Sequence, residues 1–153
     1  MDYQVKLTEH LQVIVGKQLD GLNCACEMMM FSFDDYALHA ECHTRIIYEN
    51  DILVTTLDYQ NWDGEVDSNN DEWYFVDQHR SKIVGGIVTS VRVNPIHDMV
   101  IVLDNGIRIE LFVKNGYHHF EDELNQWMFF KCGDHSYPFV TVKSKTVDIA
   151  DEW

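Results

Sequence analysis

A mainly β domain is the fold class that this sequence predicts, with antiparallel sheets built from two similar strand–hairpin–strand halves and one or two short helices. Three observations lead there. Apolar residues recur mostly with a period of two, turn residues punctuate the chain at short intervals, and one strand–hairpin–strand pattern occurs twice. The chain has 153 residues, 46% of them hydrophobic, which is a core-forming content for a single domain over 1–153 and too high for a disordered acidic tail.

The elements follow in order. Residues Leu7–Gly16 predict a short helix, with Thr8 as N-cap and Leu11, Ile14 and Val15 on its apolar face. Leu22, Cys24 and Cys26 share one face of a first strand. The continuous apolar run Met28–Phe33 predicts a strand covered on both sides. Asp34-Asp35-Tyr36 turns the chain into Ala37–Cys42, and Thr44–Tyr48 and Ile52–Leu57 read as further strands, with β-branched Val54-Thr55-Thr56 in support. Asn61–Glu72 has loop composition. Ile87–Val93 alternates and ends at Asn94-Pro95. Met99–Leu103 leads to Asp104-Asn105-Gly106, whose Asn-Gly pair predicts a type I′ hairpin turn before Ile107, Ile109 and Leu111 on the returning strand. Glu121–Gln126 predicts one helical turn, and Trp127–Lys131 and Phe139–Lys143 flank Gly133-Asp134 as a last hairpin.

The halves align over 15–48 and 84–132. Val15-Gly16 followed by Leu19, Leu22 and Cys24 corresponds to Val84-Gly85 followed by Val88, Val91 and Val93. With one inserted residue, Phe33-Asp34-Asp35-Tyr36-Ala37 corresponds to Leu103-Asp104-Asn105-Gly106-Ile107. Two such units either pack face to face or extend one curved sheet.

Charge narrows the function. With 11 Lys+Arg against 26 Asp+Glu the formal net charge is −15, which disfavours phosphate-mediated nucleic-acid binding and anionic membranes. No apolar run reaches the roughly 18 residues of a membrane helix. Met1-Asp2-Tyr3-Gln4-Val5-Lys6 lacks the basic and apolar regions of a secretory signal, so the expectation is a cytoplasmic protein with reduced Cys24, Cys26, Cys42 and Cys132. The charge is also unevenly placed. Between Arg45 and Arg80 there is no Lys or Arg, while Glu49, Asp51, Asp58, Asp63, Glu65, Asp67, Asp71, Glu72 and Asp77 all fall there, in the segment 49–78 that joins the halves.

The sequence offers several candidate chemistries. Asp63, Glu65, Asp67, Asn69 and Asp71 imitate the start of an EF-hand loop, but Asn70 and Asp71 stand where the Gly turn and later ligands belong. Cys24, Cys26, Cys42 and His43 supply zinc-type ligands at C-x-C spacing, which is poor for a knuckle. His39, Glu41 and His43 alternate and would share one strand face, the makings of a metal site or a hydrolytic acid–base group. His118-His119 reads as surface. Neither a nucleophile elbow nor a phosphate-binding loop occurs, and Val84-Gly85-Gly86-Ile87 is a lone glycine pair. The expectation is therefore no enzyme, no cofactor and no metal.

Val84-Gly85 with Val88-Thr89-Ser90-Val91, then Leu103-Asp104-Asn105-Gly106 and Ile109-Glu110, then Glu123-x-x-x-Trp127, resembles a family of small bacterial β-domains. That family is similar to immunity proteins of toxin–immunity systems, contact-dependent growth inhibition among them. The resemblance covers Val84–Cys132 and, more loosely, Val15–Cys42; its motifs are turn and core positions and carry no catalytic residues. It implies an acidic immunity protein, monomeric or a weak dimer, that neutralises a cognate basic toxin domain of nuclease type. The residues expected at that contact are Asp58, Asp63, Glu65, Asp67, Asp71 and Glu72, with Trp62 or Trp73 as aromatic anchor. The alternatives are an enzyme using the His39, Glu41 and His43 face, or a non-catalytic scaffold that oligomerises through a strand edge.

Overall fold

The computed structural model describes residues 3–25, 28–59, 74–114, 124–133, 138–143 and 146–150. The chain is mainly β, as its alternation predicts. Helix α1 (Tyr3–Leu11) and a 3₁₀ turn (Gln12–Ile14) precede β1 (Gly21–Ala25), β2 (Met28–Phe33), β3 (Tyr36–Ala40), β4 (His43–Tyr48) and β5 (Asp51–Thr55). Two further helices, α2 (Thr56–Tyr59) and α3 (Tyr74–Ile83), stand before β6 (Val88–Val93), β7 (Met99–Leu103), β8 (Ile107–Phe112), β9 (Asn125–Lys131), β10 (Phe139–Lys143) and β11 (Val147–Ala150). All pairing is antiparallel, in a six-stranded sheet β1-β2-β3-β9-β10-β11 and a five-stranded sheet β5-β4-β8-β7-β6.

The two halves pack face to face, one of the two arrangements predicted, but they also exchange a strand. Each half lays its first three strands, β1-β2-β3 or β6-β7-β8, as a meander in one sheet. Its fourth strand then crosses over to pair with the third strand of the other half, β4 with β8 and β9 with β3. The halves meet again before β1 and β6. There Gly16 N–H donates to Val88 O and Gly85 N–H to Leu19 O, both at 2.8 Å, while Leu19 N–H donates to Gly86 O and Val88 N–H to Lys17 O. These bonds exchange partner for partner under the alignment read from sequence. Gly16 and Gly85 both have positive φ, +88° and +110°, which side chains rarely adopt, so the turn into each first strand requires glycine.

The two inner faces share one core. Phe31, Phe33, Leu38, Trp127 and Phe129 of the larger sheet join Ile46, Ile101, Ile109 and Leu111 of the smaller. Helix α1 lies against β6, and α3 against β1, β4 and β5, each contributing apolar residues at helical spacing: Leu7, Leu11 and Ile14, and Val76 and Ile83. The Trp127 indole N–H donates to His97 O in the β6–β7 turn at 2.9 Å, so the largest buried side chain also ties one sheet to the other.

Several local expectations are corrected. Thr8 lies inside α1 rather than capping it, because the helix starts at Tyr3. Met28–Phe33 is covered on one face only: Met29, Phe31 and Phe33 are buried, whereas Met28, Met30 and Ser32 are half-buried. The β7–β8 turn is not type I′, since Gly106 (φ +86°) has positive φ but Asn105 does not. Leu57 belongs to α2 and not to a strand, and Gln126 belongs to β9 and not to a helical turn. Helix α3 and strand β11 were not anticipated. Among the described residues, no helix is long and apolar enough to cross a membrane.

Candidate functional site

The acidic segment begins and ends on well-packed supports. Strand β5 pairs with β4 at the edge of the smaller sheet and runs directly into α2. The junction is a capping box: Thr55 Oγ1 accepts from Asp58 N–H at 3.3 Å, and Asp58 Oδ2 accepts from Thr55 N–H at 2.9 Å. On the far side Val76 and Ile83 are fully buried, and Arg80 donates to Leu22 O while pairing with Asp77 at 3.0 Å. Of the eight predicted contact residues, Asp58 is thus a half-buried helix cap, and Trp62, Asp63, Glu65, Asp67, Asp71, Glu72 and Trp73 lie outside the described residues.

The support carries two exposed aliphatic side chains: Ile52 on β5 is 55% exposed and Leu57 on α2 is 56% exposed, values similar to those of Ile96 and Leu124 elsewhere in the chain. Glu49 and Asp51, both exposed, flank Ile52 at the β4–β5 turn, where Glu49 takes a positive φ of +53° and its N–H donates to Gly106 O. Sequence reading picked out the carboxylates here and passed over the two aliphatics, because exposure on an edge strand depends on which neighbour covers it.

The proposed His39, Glu41 and His43 face does not exist. The chain changes sheets at Glu41-Cys42, whose N–H groups both donate to Gln126 O at 2.9 Å. His39 therefore sits on the larger sheet, edge-on to Phe130 at 5.0 Å, and His43 on the smaller, beside Phe112 at 6.1 Å. Burial lowers the pKa of both imidazoles. The zinc set fails on similar grounds. Cys42 is buried, with burial pushing its thiol up to about 12, while His43 lies on the outer face; Cys26 is outside the described residues. No group of three or more His, Cys, Asp or Glu side chains is placed to hold a metal among the described residues.

Where the sheets cross over, Glu41, Lys114, Leu124, Asn125 and Gln126 line an open recess of about 410 Å³. Its buried member, Gln126, is committed to structure: its Oε1 accepts from Lys114 N–H at 2.8 Å and its Nε2 donates to Leu124 O. Among the described residues its lining has no Ser, Thr or Cys. Set against family models, curated proteins and solved structures, the chain matches none.

Two such surfaces escaped sequence reading. The outer face of the larger sheet gathers Met28, Met30, His39, Met128, Phe130 and Phe139, with Phe130 and Phe139 stacked at 4.9 Å. The outer face of the smaller sheet gathers Arg45, Arg92 and Arg108, three of the four arginines in the chain. Period-two alternation assigns each residue to a face of its own strand; only the register brings these distant positions together.

Proposed function

We propose that the protein is an acidic inhibitor of a basic protein partner, an immunity protein that neutralises a cognate bacterial toxin domain of nuclease type in the cytoplasm. The observation that carries this reading is the run of nine carboxylates without a Lys or Arg between Arg45 and Arg80. A nuclease binds a polyanion and is correspondingly basic, so a carboxylate-rich segment complements the same cleft that accepts phosphates. Complementary charge steers encounter and raises association rates to about 10⁸–10⁹ M⁻¹s⁻¹ at low salt, which suits neutralisation of a toxin arriving from outside.

The described geometry supports a binding end rather than a reaction site. In the chain the acidic stretch follows the capped α2 and precedes α3, whose Val76 and Ile83 are buried, and the exposed aliphatic side chains of Ile52 and Leu57 offer apolar surface at its start. The protein acts by occupying the toxin, with no bond made or broken. Co-expression with a basic nuclease-type toxin domain tests the reading, a toxin gene adjoining this one being the first candidate. Growth is restored by the wild-type chain and lost again when Asp63, Glu65, Asp67, Asp71 and Glu72 are replaced by Lys. Restored growth with that variant rejects the acidic segment as the contact.

A further inference from the structure

We infer that the outer face of the five-stranded sheet is a self-association surface, which receives the acidic β5 end of a second copy of this chain. Register builds this face. Arg92 on β6, Val100 on β7, Glu110 on β8 and Arg45 on β4 form one cross-strand row, and Ser90, Val102 and Arg108 form the next. With strands about 4.8 Å apart, Arg92 and Arg45 stand about 14 Å apart across three strand spacings, and Arg108 lies about 7 Å along β8 from Glu110. Three arginines thus share one small area in a protein of net charge −15.

Glu110 is the one carboxylate in these rows, and it is fully committed. Its Oε1 accepts from Arg45 Nη2 at 2.6 Å and Nε at 3.0 Å, its Oε2 lies 3.5 Å from Arg108 Nε, and its side chain is only 14% exposed. Arg92 makes no ion pair among the described residues. The rows keep a net positive charge of about two, with guanidinium donors left over on Arg92 and Arg108. Between them stand half-buried Val100 and Val102, and Phe112 lies 4.9 Å beneath the Arg45 guanidinium. Arginine over an aromatic ring, set among aliphatics, is the composition of a protein interface. A polyanion is a poor occupant, because backbone N–H groups within the sheet are spent in the ladder and the net charge repels it.

A second copy carries the complement. Next to β4 in the same sheet, Ile52 on β5 pairs with Ile47 in the row of Arg108 and stands exposed on this face, and the exposed carboxylates Glu49 and Asp51 lie at the β4–β5 turn that leads to it, with Leu57 close behind in sequence. Acid matches arginine, and Ile52 and Leu57 match Val100, Val102 and Phe112. Because both patches lie on one sheet, a two-fold axis sets each copy's acidic end on the other's arginines and makes the contact twice. General repulsion between two acidic molecules is screened beyond about 8 Å at physiological ionic strength, whereas pairs in contact persist. The inference does not depend on toxin binding, although a basic partner would compete with the arginine face for the same acidic end.

Sedimentation equilibrium of the full chain tests it with two surface variants, R92E/R108E and E49K/D51K. The wild type dimerises at about 0.15 M salt and dissociates near 1 M, as expected for contacts between charges. Each variant alone associates about tenfold or more weakly, and an equimolar mixture of the two regains the dimer, because each restores the charge its partner lost. That rescue also shows that both variants fold. A wild type that stays monomeric at millimolar concentration overturns the inference, as does a dimer that either variant leaves intact or a mixture that fails to associate.

Discussion

Replacing Gly86 with Ala should destabilise the protein through one neighbouring side chain. A Cβ at Gly86 would stand 2.5 Å from Asn105 Oδ1, 2.6 Å from its Cγ and 2.8 Å from its Nδ2. Gly86 does not have positive φ, so the cost is steric and not conformational. Asn105 cannot simply swing away. Its Nδ2 donates to Lys82 O at 3.0 Å and Ile83 O at 3.2 Å, closing the C-terminus of α3, and its Oδ1 accepts from Ile107 N–H at 3.3 Å in the β7–β8 turn. Three bonds at about 0.5–1.5 kcal/mol each, partly recovered by water at this edge, give a loss of about 2–3 kcal/mol. With a urea m-value of about 2 kcal/mol/M, the unfolding midpoint should fall by about 1–1.5 M. N105A alone should cost a similar amount. On that background G86A should be neutral or slightly stabilising, since Ala at an ordinary φ narrows the unfolded ensemble. The reasoning fails if G86A is neutral in the wild type, or if the two changes add without coupling.

Other consequences can be measured with equal directness. W127F strands the His97 carbonyl and opens space in the core, a loss of about 2–3 kcal/mol; an unchanged melting temperature would contradict the tie between the sheets. Buried Cys42, its thiol pushed up to about 12, should resist alkylation at pH 8 while exposed Cys132 reacts. Since the folded state favours the protonated Cys42 thiol, that contribution to stability is whole below pH 9 and declines as pH rises towards 12, and a flat alkaline stability profile would count against it. Burial lowers the pKa values of His39, His43 and His97, so their contribution is present above pH 6.5 and lost as pH falls through the lowered folded values. Imidazole NMR titrations giving pKa values at or above 6.5 would refute this.

Local pattern carried much of the fold into view. Met28–Phe33, Met99–Leu103 and Phe139–Lys143 are strands with the bounds read from their apolar runs. The paired glycines Gly16 and Gly85 marked equivalent turns, and the equivalence survives in hydrogen bonds. What stayed hidden was non-local or short. The crossing of β4 and β9 into each other's sheets rests on pairing between strands far apart in sequence, β4 with β8 and β3 with β9, for which no local residue pattern is specific. Among the described side chains of α3 only Val76 and Ile83 are buried, and β11 alternates over just four residues. The site followed the same rule. The carboxylate stretch was legible because it is contiguous, whereas Arg45, Arg92 and Arg108 become neighbours only through register. His39 and His43 misled because alternation presumes one continuous strand, and the chain changes sheets between them.

The proposal that the acidic segment neutralises a basic toxin is tested most directly by calorimetric titration of the full chain with a basic nuclease-type toxin domain. Binding should be tight and one-to-one and should weaken steeply between about 0.05 and 0.5 M salt. Replacing Asp63, Glu65, Asp67, Asp71 and Glu72 with Lys should abolish binding. Affinity unaffected by both salt and charge reversal, or no binding by the wild-type chain, would contradict it.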